Sequence, residues 1–311
     1  MAPSSQEQWP PLSYDSWKDT YATLHMWTQV VGKIALALAP HINHSWGIAF
    51  QFTARGLMTR TLAYGNRTFT IEFDFVAHRL VIRVSDGTIC TIVLAPQSVA
   101  DFYRSVMDAL REMNLSVKIW PMAVEIPSPI RLDQDTVHRT YDPEAANRAW
   151  RVFAQVERVL NLTRSSFVGK TSPVHFFWGG FDIAVTRFSG RLAPPRERPA
   201  FMREAYSHEV ISHGFWPGSA PLLEPAFYGY AVPEPEGLKE AAVQPAEAYY
   251  HRELGEFILP YEAVRTSRDP DRAIELFVSS TYDQAATLGR WDRAGLEAQP
   301  IVDGASPRVT G

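Results

Sequence analysis

The sequence predicts an α+β protein of two similar halves. Each half runs helix, antiparallel strands, helix, as in a duplication about a pseudo-twofold axis. Three observations predict this. An apolar stripe at three- and four-residue steps opens each half. Clean two-residue alternation and an Asp-Gly hairpin follow in the first half. A proline-bearing, aperiodic stretch over residues 121–140 separates the halves.

The first helix carries Trp17, Tyr21, Leu24, Trp27, Val31, Ile34 and Leu38 on one face, with Ser16 as its expected N-cap and Pro40 beyond its end. A strand is expected over 44–53. From Thr68 to Phe75, Phe69, Ile71, Phe73 and Phe75 alternate with Thr68, Thr70, Glu72 and Asp74. Leu80, Ile82 and Val84 repeat the pattern, Asp86-Gly87 turns the chain, and residues 89–94 pair back. Ser98-Val-Ala-Asp101 opens a helix with a capping box in which Asp replaces the usual Glu or Gln.

Asp142-Pro143 begins the second half's helix, with Pro at the first helical position. Ala146, Trp150, Phe153, Val156 and Leu160 form its apolar face. Strands are expected at 173–178, 181–188, 206–212, 225–231 and 249–259, and Asp269-Pro270 caps a last helix. The domains read as 9–120, a linker at 121–140, 141–297, and a disordered tail at 298–311. A local match supports the duplication: His44-Ser-Trp46-Gly47 is similar to His175-Phe-Phe-Trp178-Gly179, and each leads to a Thr-and-Arg segment ending in Gly. Two halves related in this way would leave a cleft between them for a ligand.

The 311 residues carry 30 Lys and Arg against 34 Asp and Glu, a net charge of −4 that offers no basic stripe for nucleic acid. The single cysteine, Cys90, allows neither an internal disulfide nor a cysteine zinc site. No apolar run is long enough for a membrane span, and the N-terminus lacks the basic and apolar regions of a secretory signal. A cytoplasmic protein is therefore expected. No Walker loop, dinucleotide fingerprint or nucleophile elbow is present. The aromatic content, 12% of the chain, suits a large core, a homodimer interface or an aromatic-lined pocket.

Three segments of the second half carry the chemistry. Ser172-Pro-Val-His175-Phe-Phe-Trp178-Gly-Gly-Phe-Asp182 places a His and an Asp close in sequence, as an oriented general base or a ligand pair requires. Tyr206-Ser-His208-Glu209 continues to His213, one residue too far for a zincin motif, since one helix or strand cannot aim both imidazoles at one ion. Thr186-Arg187-Phe-Ser-Gly190-Arg191 offers two guanidinium forks for an anion. The candidate catalytic residues are therefore His175, Asp182, His208 and Glu209. His175, His208 and Glu209 are the candidate ligands of a divalent metal. Arg187, Arg191, Trp178, Trp216, Tyr206, His44 and Trp46 are the candidate ligand-binding residues.

These motifs, with Thr23-Leu-His25 and Asn43-His44-Ser-Trp46, resemble an uncharacterised bacterial family of about 300-residue proteins, a domain of unknown function. The resemblance covers about residues 9–297. One departure is visible, because Ser45-Trp46-Gly47 stands where members more often read Trp-Trp-His. The resemblance implies a bacterial, cytoplasmic protein and implies no activity. The residues themselves point to a small-molecule enzyme with an acid-base or metal-assisted His/carboxylate site between the halves, taking an anionic ligand. The alternative is a non-catalytic protein that binds a ligand or partner and has an aromatic-lined pocket without His–carboxylate contact.

Overall fold

A computed structural model describes residues 8–195 and 200–298. The expected tail lies outside these residues from 299 onward. The architecture is α+β, with two antiparallel sheets. Helix α1 (Tyr14–Leu38) starts two residues before the expected cap, and Ser16 instead bonds back to the Ser13 carbonyl. Its stripe buries Trp17, Leu24, Trp27, Val31 and Ile34. Trp27 stacks on Phe102 and Tyr141, with centroids 4.7 and 5.3 Å away. These rings tie α1 to the chain on both sides of the 121–140 segment.

Six short strands follow: β1 (Gln51–Phe52), β2 (Gly56–Met58), β3 (Leu62–Tyr64), β4 (Arg67–Asp74), β5 (Arg79–Val84) and β6 (Ile89–Val93). They form a sheet ordered β1-β2-β4-β5-β6, with β3 also on β4. The alternating apolar side chains of β4 and β5 face the core, where Phe69, Ile71, Phe73, Leu80 and Ile82 are buried. The strand expected over 44–53 shrinks to β1. Residues 43–45 instead form a 3-10 turn, with His44 and Ser45 at positive φ. The turn also weakens the sequence match between the halves, because His44 lies in a tight turn and His175 in a strand.

Helix α2 (Val99–Glu112) opens on the expected capping box, with the Ser98 hydroxyl accepting from the Asp101 amide and donating to its carboxylate. The 121–140 segment lies along the start of this helix. Leu132 and Asp135 are fully buried, and Asp135 accepts from the Val137 and His138 amides. Helix α3 (Pro143–Arg164) is capped by the Asp142 carboxylate.

The second sheet contains β7 (His175–Phe177), β8 (Asp182–Leu192), β9 (His208–Trp216), β10 (Ala226–Val232), β11 (Tyr249–His251) and β12 (Glu256–Pro260). Its order is β11-β12-β10-β9-β8-β7. A short helix, α4 (Ala200–Ala205), precedes β9, and α5 (Tyr261–Thr266), α6 (Pro270–Leu288) and α7 (Arg293–Leu296) close the described chain. One face of this sheet packs on α3 and α6 through Ile183, Val185, Ile211 and Phe215. The sheets meet where Phe50 and Phe176 exchange two backbone hydrogen bonds, 2.9 and 3.0 Å. A continuous apolar core spans both halves, from Trp9 to Trp291. No helix among the described residues is long and apolar enough to cross a membrane.

Candidate functional site

Strand parity decides which side chains of the second sheet reach the ligand side. On β8, Asp182, Ala184, Thr186 and Phe188 leave the helix-packed face and floor a cavity of about 470 Å³. Val210 and Ser212 of β9 and Tyr228 and Tyr230 of β10 extend this floor. The walls come from elsewhere: Gln29, Lys33 and Leu36 of α1, His44 to Trp46 of the tight turn, Val124-Glu125, Phe177-Trp178 and Ala205-Tyr206. The cavity is lined by residues from 29 to 230 along the chain and lies against one sheet.

The polar groups form short links. The Tyr228 hydroxyl donates to Oδ2 of Asp182 at 2.6 Å. The Tyr206 and Tyr230 hydroxyls lie 3.1 Å apart, and those of Thr186 and Ser212 lie 2.9 Å apart. Nζ of Lys170 donates to Nε2 of His44 at 3.0 Å, which leaves the imidazole proton on Nδ1. Trp178 donates its indole N–H to the Ile48 carbonyl. From α1, Nε2 of His25 donates to the Gly179 carbonyl at 2.8 Å and Gln29 donates to the Trp178 carbonyl at 2.9 Å. These bonds hold the 178–181 turn, where Phe181 has φ 57°. Gly32 is also needed here, because a Cβ at that position would overlap the Trp178 indole.

Burial sets the electrostatics. Desolvation pushes the Asp182 carboxyl up to about 6, against the Tyr228 hydrogen bond, and nearby Glu125 adds to the rise. Burial also raises Glu125 and lowers Lys33, and the attraction between these two opposes both shifts. Glu256, on β12, is pushed up to about 7 by burial and then by Asp182. His44 is lowered by burial and then by the Lys170 charge.

Of the residues singled out from sequence, Asp182, Trp178, Tyr206, His44 and Trp46 line the cavity together. The rest lie elsewhere. His175 is buried on the outermost strand, bonded through Nδ1 to the Pro173 carbonyl and edge-on to Phe177. Burial lowers it to about 4. His208 shares the parity of Ser212 but begins its strand, with its ring 6.4 Å from that of His44. Glu209 points to the opposite side and accepts from Arg191 at 2.6 Å and from Ser189. Arg191 also donates to the Gly289 and Arg290 carbonyls. Arg187 projects among the helices, donating to the Thr163 carbonyl with its guanidinium 5.0 Å from the Tyr282 ring. Trp216 packs at the strand end beside Ala226, Tyr228 and Ile258.

Two expectations change with this placement. The metal set of His175, His208 and Glu209 does not converge, because adjacent residues of β9 face opposite ways. Among the described residues, no three His, Cys, Asp or Glu side chains gather to hold an ion. The arginine fork for an anion is not at the cavity, because Arg187 is an odd number of residues from Asp182 on the same strand.

Several cavity residues were missed. Gln29 and Lys33 are buried polar residues one turn apart on a largely apolar helix, following His25 by the same step. That polar i, i+4 row was the available signal. Tyr228 and Tyr230 alternate within an apolar strand, which marks one face. Nothing local marks Glu125, which reaches the cavity from the proline-bearing segment.

The fold and site define an α+β protein with an aromatic-walled cavity floored by one of its two antiparallel sheets. The chain belongs to DUF5996, a family of unknown function, whose sequence pattern matches residues 9–298. No curated protein and no solved structure matches the chain.

Proposed function

We propose that this protein binds a small organic molecule in the cavity on the open face of its second sheet. The observation that supports this is one concave space of about 470 Å³ with aromatic walls and a few convergent polar groups. That size and lining suit a ligand of a few rings. His44, the histidine on the cavity wall, bonds to Lys170, and among the described residues no hydrogen bond joins it to a carboxylate. This arrangement favours binding over the expected His/carboxylate catalysis.

A second reading rests on Asp182. A carboxyl held near 6 inside a cavity, with a tyrosine hydroxyl on it, suits proton exchange with a bound substrate near neutral pH. In that reading the protein is an acid-base enzyme and Asp182 moves the proton.

The test of the binding reading is uptake of the neutral dye Nile red by the full chain and by Ala184→Trp. The new indole would fill the floor between Asp182 and Thr186. Saturable one-to-one uptake by the parent and its loss in a folded Ala184→Trp protein are expected. A parent that takes up no dye, or a variant that binds it equally, overturns the reading.

A further inference from the structure

We propose that the cavity's ligand is an organic amine, whose ammonium pairs with Asp182 while its apolar body lies among the aromatic rings. This inference rests on the binding reading above and names its ligand class.

The argument is one of charge balance. The cavity wall carries Lys33, Glu125 and Asp182. Lys33 and Glu125 attract each other and offset one another. Among the described residues, no cation is paired with Asp182. Its side-chain hydrogen bond comes from a neutral hydroxyl, that of Tyr228. The other charged groups acting on it, Glu125 and Glu256, have the same sign. Lys170 does not compensate, because its ammonium lies 4.7 Å from the Phe188 ring. Phe188 is six residues along β8 from Asp182, about 20 Å at strand rise. A desolvated carboxyl beside like charges gains most from a cation brought in by the ligand.

The walls favour the same charge. Trp178, Phe177, Tyr228 and Tyr230 line the cavity around Asp182 and along the sheet. Aromatic faces attract ammonium groups, more strongly when water is displaced. An anionic ligand would meet Asp182 and Glu125 unfavourably, and Arg187 and Arg191, the arginines expected to welcome it, lie off the cavity.

Isothermal titration calorimetry on the full chain with three indole probes of matched size tests this. Tryptamine carries an ammonium, tryptophol a hydroxyl and indole-3-acetate a carboxylate. At pH 7.5, tryptamine should bind at least about tenfold more tightly than tryptophol, with indole-3-acetate weakest. In Asp182→Asn the tryptamine advantage over tryptophol should vanish. The comparison on the unaltered chain decides the matter even if that variant does not fold. Equal binding of the three probes, tighter binding of the acid, or no tryptamine binding up to roughly 10 mM overturns the amine assignment. If Nile red uptake persists in that case, the amine class fails and the binding reading stands.

Discussion

The Tyr228 hydroxyl sits 2.6 Å from Oδ2 of Asp182, and β8 and β10, which flank β9 in one sheet, hold the pair at the cavity floor. The bond favours the ionised carboxyl and burial opposes it, and burial prevails, since Asp182 is raised from 3.8 to about 6. The floor is therefore polar and its charge is sensitive to pH.

Stability should follow from that balance. Folded Asp182 holds its proton more tightly than the unfolded chain does. Its contribution is complete below about pH 4 and is lost as pH rises through about 6. Asp182→Asn should therefore improve relative to the parent by on the order of 1–2 kcal/mol between pH 4 and 7, allowing for the cavity's access to water. Urea unfolding at a series of pH values measures this, and a constant difference across the range would refute it. Tyr228→Phe should cost about 1.5–3 kcal/mol at pH 8 and less at pH 5, because the lost bond serves the charged form.

Gly32→Ala should disturb the cavity from the helix side. The added methyl must displace the Trp178 indole, whose N–H is bonded to the Ile48 carbonyl. Overpacking of this kind costs about 1–3 kcal/mol, and the displaced ring should weaken dye uptake. Denaturant unfolding and Nile red titration report the two effects separately. A variant as stable as the parent and with full uptake would show that the indole yields freely.

Arg187→Met should leave dye uptake unchanged, since the side chain lies on the helix-packed side of β8. Its burial lowers it to about 10, and among the described residues no carboxylate lies within salt-bridge distance of it. Replacing a buried, incompletely satisfied cation by an apolar chain of similar length should change stability by no more than about 1 kcal/mol, or improve it. A loss of uptake in folded Arg187→Met would return this residue to the ligand site.

Lys170→Met should raise the proton affinity of His44. In the parent, burial and then the Lys170 charge both lower it. Removing the charge leaves burial as the main cause that lowers it, so the His44 titration followed by NMR should move to higher pH. An unmoved midpoint would mean that the ammonium and imidazole do not interact in solution.

The sequence by itself determined the long helices, the caps at Ser98, Asp142 and Asp269, the Asp86-Gly87 hairpin and the fold class, because these depend on spacing within a few residues, and among the long helices it missed only the cap of α1. It also singled out Trp178 and Asp182, and both line the cavity. It misread 44–53, where a tight turn stands in place of most of a strand. Parity along β8 and β9 could have separated Asp182 from Arg187, and His208 from Glu209, once the strands were drawn. Only the tertiary structure decided that β8 turns Asp182 toward the cavity, that α1 brings Gln29 and Lys33 to it, and that Glu125 arrives from the far side of α2. Such meetings join residues from dozens to more than a hundred positions apart. They depend on how the helices and sheets pack, which no local pattern encodes.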